Sequence, residues 1–161
     1  MAALEIRLRS DATRLEAEGH CILVHILSDA LTWGLGFSQA IELRWPAVSI
    51  QIQRYLRATS PRPTLGQVHW SQLDERVTAA HLIAERSRGN PATALDLKCL
   101  AACLEQVANR AVAQNVQVHA PPIGTGLCGA QWQDVRVLLE SQVVARGVDV
   151  VVHCLGNHIP K

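Results

Sequence analysis

The 161-residue chain carries a formal net charge of +1, with 48% apolar and 18% charged residues. That composition suits a globular chain with a sizeable core, taken as one domain over residues 1–161, and excludes a disordered or acid-tailed protein. It leaves no broad basic face for duplex nucleic acid, and no apolar run approaches the ~20 residues of a membrane span.

The N-terminal MAALEIRLRSDATRLE interleaves charged and apolar residues and shows no apolar signal core. Leu4, Ile6 and Leu8 alternate with polar residues, which predicts a first strand with one buried face. After Gly19, the run Cys21–Leu27 is almost continuously apolar and predicts a central strand covered on both faces. The loop Ser28–Gly36 follows. A helix is expected from Phe37 to just before Pro46, because proline disfavours helix in the residue ahead of it. A second helix covers Val48–Leu56, and Ser60–Pro61–Arg62–Pro63 reads as a turn.

Gln67–Leu73 and Arg76–Ala84 predict two strands around a tight turn at Asp74–Glu75, and Arg86–Pro91 reads as a polar loop. Leu97, Leu100, Leu104, Val107 and Ala111 recur at helical spacing, so a long helix runs from Thr93 or Ala94 to Gln114. Val116–Ala120 is the next strand. A glycine loop follows, then a helix over Gln131–Arg146 with Gly147 as its cap, and a Val-rich strand over Asp149–Leu155. This order predicts an α/β fold, a three-layer α/β/α sandwich with a mixed, mostly parallel central sheet.

Two loops bear closely spaced glycines directly after apolar strands: Trp33–Gly34–Leu35–Gly36 and Ile123–Gly124–Thr125–Gly126–Leu127. In open α/β sheets ligands bind outside the carboxyl ends of strands. A glycine turn that leads into a helix presents unpaired N–H groups beside the positive end of the helix dipole, an arrangement that suits phosphate. The five cysteines are odd in number and include no C-x-x-C pair, as expected of free thiols in a reduced cytoplasmic protein. The seven histidines show no ligand spacing, so no metal is expected.

Ser10–Asp11–Ala12, Val24–Asp29 with Trp33–Phe37, and Ile123–Trp132 resemble, in order and spacing, the ligand loops of macro domains. The Gln131–Trp132 pair after the glycine loop is most similar to the branch that contains terminal ADP-ribose protein glycohydrolase. The resemblance spans about residues 4–155 and implies an ADP-ribose pocket, with no cofactor.

On that resemblance, Asp11, beside Ala12, accepts a hydrogen bond from the adenine amino group; the alternative is a turn or cap aspartate. Ile123, Gly124, Thr125, Gly126, Leu127 and Cys128 hold the diphosphate through backbone N–H groups, in a loop where a Cβ would fill the space of a phosphate oxygen. Gly34, Gly36 and Phe37 flank the distal ribose, with Ser28 nearby. Trp33 is either an exposed platform or a packed core residue. His153 either stacks on adenine or is a hydrogen-bonded histidine at a strand end.

The related hydrolases use a lysine after the hairpin's Leu-Ile and an aspartate after the glycine loop. Here those places hold Glu85 and Cys128. A carboxylate cannot form a Schiff base. The remaining catalytic candidates are Asp29 or Glu85 activating a water, and Cys128 as a nucleophile assisted by His25 or His119 with its pKa lowered near a helix N-terminus. The expected function is binding of ADP-ribose or of ADP-ribosylated protein or nucleic acid by a monomer without membrane attachment, with glycosidic hydrolysis in addition. The alternatives are a non-catalytic reader and another nucleotide-binding α/β domain.

Overall fold

The computed structural model describes residues 1–16, 18–58, 64–87, 94–126 and 128–161. The predicted turn at Ser60–Pro63, most of the polar loop before Pro91, Thr93 and the ligand residue Leu127 lie outside the described residues.

The elements follow the predicted order: β1 Leu4–Leu8, β2 Cys21–Ser28, α1 Phe37–Arg44, α2 Ala47–Ala58, β3 Val68–Gln72, β4 Val77–Glu85, α3 Leu97–Gln114, β5 Gln117–Ala120, α4 Trp132–Gln142 and β6 Val150–Cys154. The largest departures from expectation are at two helix ends. The α3 helix begins at Leu97 because the Asp96 side chain accepts a hydrogen bond from Cys99 N (2.9 Å), closing the first turn there. Leu95, just before it, pairs with Glu85 in an isolated bridge. At the other end of the chain α4 stops at Gln142, and Val144–Arg146 tightens into a 3-10 turn that ends on left-handed Gly147 (φ 86°).

The six strands form one mixed sheet in the order β1-β6-β5-β2-β4-β3. Only β3 runs antiparallel, against β4. The central position of β2 explains its apolar run. Ile22 and Val24 pack toward α3 and α4 with Leu82, Leu100, Leu104 and Leu139. Leu23 packs on the other face with Ile41 of α1 and Val48 and Ile52 of α2. Each fully buried Ile or Leu contributes about 1.5–3 kcal/mol. At the edge, β1 turns only Leu4 and Ile6 inward, while Glu5 and Arg7 pair on the other face at 2.7 Å.

Chain direction then sets the site. After β2 the chain crosses to α1 on one face, whereas after neighbouring β5 it crosses to α4 on the opposite face. Adjacent parallel strands whose connections part in this way leave a crevice at their carboxyl ends.

Candidate functional site

A cavity of about 460 Å³ opens at that crevice. Its walls are the end of β2 (His25–Ser28), the turn Leu35–Ser38, Glu85 at the end of β4, the glycine loop from Pro121 to Gly126, and Cys128. Of the residues expected from the sequence, Ser28, Gly36, Phe37, Ile123, Gly124, Thr125, Gly126, Cys128 and Glu85 line it. Asp11, Ala12, Asp29, Trp33, Gly34 and His153 do not.

The glycine loop is held by its own backbone. Thr125 N donates to Pro122 O (3.3 Å), Gly129 N to Gly126 O (3.1 Å) and Ala130 N to Gly124 O (2.9 Å), while Thr125 Oγ1 donates to Pro122 O (2.7 Å). These bonds leave the N–H groups of Gly124, Gly126 and Cys128 without a hydrogen-bond acceptor among the described residues. Across the cavity, α1 begins at Gly36, which supplies no side-chain cap, and its first turn holds no acidic residue. Gly36 has φ 57° and ψ −131°, a conformation essentially reserved for glycine. The uncapped end of α1 therefore presents free N–H groups and the positive pole of its dipole to the cavity.

Ser38 braces this turn: its Oγ accepts from Gly34 N (3.0 Å) and Leu35 N (3.2 Å) and donates to Leu35 O (2.7 Å). Sequence reasoning passed over Ser38 and Thr32. A hydroxyl residue in the first turn of a helix after a glycine pair is the signal that would have found Ser38. Thr32 N donates to Ser28 Oγ (3.2 Å), so Ser28 shapes the same loop.

Asp11 lies in the loop after β1, where Thr13 N and Thr13 Oγ1 both donate to its Oδ1 (2.8 Å each). Its Oδ2 stands 3.8 Å from Arg14 Nε on a side chain 38% exposed, leaving that oxygen accessible to a donor. Ala12 is buried beneath it against the α1–α2 core. From β1 to β4 the sheet takes four strand steps, ~19 Å at ~4.8 Å each. One ligand of that length would reach from Asp11 past the glycine loop to Glu85.

Trp33 packs rather than forming an open platform. Its ring meets His25 and His81 edge-on at 5.8 and 5.7 Å between centroids. His153 is 4% exposed and hydrogen-bonded on both sides, to Ser10 Oγ (2.7 Å) and His119 Nδ1 (2.9 Å). The hydrogen-bonded reading of this residue is the one observed.

The catalytic candidates separate by environment. Cys128 is 7% exposed, and burial together with the Glu85 carboxylate beside it pushes its thiol up to about 12. This reverses the expected lowering, because burial and the neighbouring carboxylate both oppose the thiolate. A protonated thiol is a poor nucleophile. Each suggested helper gives one ring nitrogen to another histidine, His25 to His81 and His119 to His153, and keeps the other without a partner; among the described residues neither bonds the Cys128 thiol. Asp29 lies outside the cavity. Its carboxylate accepts from Ser87 N (2.9 Å), and that bonding holds it below the usual carboxylate range, which makes it a weak base. Glu85 alone among the carboxylate candidates lines the cavity. Among the described residues no three His, Cys, Asp or Glu side chains gather as a metal site.

The sheet face beneath α1 and α2 carries a row of histidines. His69, His81 and His25 stand in register across β3, β4 and β2. His81 also bonds Ser71 Oγ (2.9 Å). Burial pushes His25 down to about 3 and His119 down to about 4, and places His81 well below the ordinary histidine range.

No family model matches the sequence, and no curated protein matches it. Solved structures do. The macrodomain protein of Streptomyces coelicolor is 27% identical with a TM-score of 0.80, over 94% of this chain and 98% of that one. The macrodomain of Mycobacterium tuberculosis DarG is 17% identical with a TM-score of 0.73, over 95% and 98%. Thermosipho africanus DarTG, solved in complex with ADP-ribose, is 14% identical with a TM-score of 0.65, over 83% of this chain and 37% of that one. The fold of this chain is the macrodomain α/β fold, and the likeness to the Streptomyces coelicolor protein supports the macro domain family.

Proposed function

Starting from the macrodomain fold, we propose that this protein binds ADP-ribosyl groups in the crevice between β2 and β5. One observation carries the reading. Free N–H groups from Gly124, Gly126 and the uncapped α1 terminus face a cavity that no Lys or Arg side chain among the described residues lines. Such a site takes an anion through backbone dipoles, as a diphosphate requires. The complex of DarTG with ADP-ribose supports the choice of ligand. Adenine then lies toward Asp11, and the distal ribose toward Ser28 and Glu85.

Calorimetry with ADP-ribose tests this. Wild type is expected to bind at micromolar concentration. Asp11→Asn keeps an oxygen for Thr13 but offers the adenine amino group an NH2 in place of Oδ2, so affinity drops about tenfold, one charge-assisted hydrogen bond. Absence of heat at high micromolar ligand, or equal affinity for the variant, would sink the assignment.

Hydrolytic release is the second reading, and the position of Glu85 in the cavity favours it. A carboxylate there stabilises developing oxocarbenium charge and can orient a water. A release assay on ADP-ribosylated glutamate, arginine and DNA substrates decides it. If release occurs, Glu85→Gln lowers its rate at least 100-fold, the scale of general acid–base assistance. No release from any substrate leaves a reader.

A further inference from the structure

Glu85 ends β4 in register with Ser28, on the far side of β2 from the glycine loop. It is half-buried, and among the described residues it forms no ion pair. Its polar neighbour is the Cys128 thiol, which carries no positive charge. A carboxylate that lines a cavity with no cation beside it can pair with one carried by a ligand. The same cavity is lined by Gly124 and Gly126, whose N–H groups are free, and by the N-terminal turn of α1. The cavity thus offers backbone donors for an anion at Gly36 and Gly124–Gly126 and a carboxylate for a cation at Glu85.

A ligand that matches both carries an anion in its middle and a cation at its far end. ADP-ribose alone supplies only the anion. Taking the ADP-ribosyl reading as given, we infer that the preferred ligand is an ADP-ribosyl group bearing a positively charged substituent on its distal ribose, and that Glu85 selects it. Two sources share that chemistry. One is the pyridinium of an oxidised nicotinamide dinucleotide. The other is the guanidinium of an ADP-ribosylated arginine. In each the cation sits one bond from the distal ribose, the end that reaches β4 when adenine lies at Asp11. A neutral ester-linked ADP-ribosyl group gains nothing from the carboxylate.

Calorimetry on the full chain tests this with four probes: ADP-ribose, NAD⁺, an arginine-ADP-ribosylated peptide and a glutamate-ADP-ribosylated peptide. Thermal melts show whether Glu85→Gln is folded, and its affinity for ADP-ribose, which lacks the cation, sets the baseline against which the other probes are compared. At least one cationic probe is expected to bind wild type about tenfold tighter than it binds Glu85→Gln, the scale of one charge-assisted contact. Which cationic probe shows the difference identifies the source. The inference is overturned if both cationic probes bind the two proteins alike, or if the glutamate-linked peptide loses as much. Failure of ADP-ribose itself to bind wild type overturns the underlying binding assignment instead.

Discussion

Lowering the pH from 7 to 5 is expected to remove about 4 kcal/mol of folding stability, through His25 and His119. Both are buried and held neutral, with His25 pushed down to about 3 and His119 to about 4. Above pH 6.5 neither state binds a proton there, so these residues make no difference. Below it the unfolded chain takes up protons that the folded protein refuses. Each histidine then costs about 1.4 kcal/mol per pH unit until its folded pKa is reached, or about 2 kcal/mol each at pH 5. His81, His69 and His153 shift in the same direction by desolvation and add to the loss. Asp29, Asp74 and Asp96, whose folded values are lowered by hydrogen bonds, extend it below about pH 4. Against a total stability of about 5–15 kcal/mol, that is a substantial fraction. Urea titrations at pH 7, 6 and 5 measure the slope. His119→Asn should flatten it by about 2 kcal/mol over that range. A urea midpoint independent of pH would contradict the burial of these rings.

Gly126→Val is expected to leave the melting temperature unchanged and weaken ADP-ribose binding at least tenfold, while Gly124→Ala destabilises the fold. The two glycines of one loop serve different ends. A Cβ at Gly126 meets nothing of the protein within 4 Å, so only a ligand would be hindered by it. A bulky side chain there occupies the space beside the free loop N–H groups, and each lost hydrogen bond to a charged oxygen costs about 1.5–3 kcal/mol. Gly124 has φ +76°, and its Cβ would stand 2.7 Å from Leu95 Cδ2. The Leu95 side chain can rotate away, so the remaining penalty is mainly the left-handed backbone, about 1–2 kcal/mol. The sequence reading gave both glycines the same reason, space for a phosphate oxygen. In the folded loop Gly124 is required mainly by its left-handed conformation. Thermal melts paired with calorimetry separate the two roles, and a Gly126→Val protein that binds ADP-ribose normally would remove the glycine loop from the diphosphate site.

The elements were legible because their causes are local. Alternation in Leu4–Leu8, the unbroken run of Cys21–Leu27 and the helical spacing of Leu97–Ala111 each name their own structure, and the chain order of strands and helices follows. The misplaced start of α3 was also local: Asp96 is a good cap and could have been read as one. The side chains of the site were less legible, because their partners come from elsewhere in the chain. The Cys128 thiol is pushed up by burial and by Glu85, 43 positions away in sequence. Asp29 was drawn off by Ser87, Trp33 by His25 and His81, and His153 by Ser10 and His119.

The sequence by itself determined that two glycine loops each follow an apolar strand, since strand periodicity and the need for positive φ are properties of a few consecutive residues. That the loops face one another was decided by the tertiary structure. It depends on the hydrogen-bond ladders that set β2 between β5 and β4, joining residues some 60 to 100 positions apart. Those ladders bring Gly36, Gly126 and Glu85 to one crevice, and with them the backbone donors and the carboxylate on which the proposed ligand preference rests.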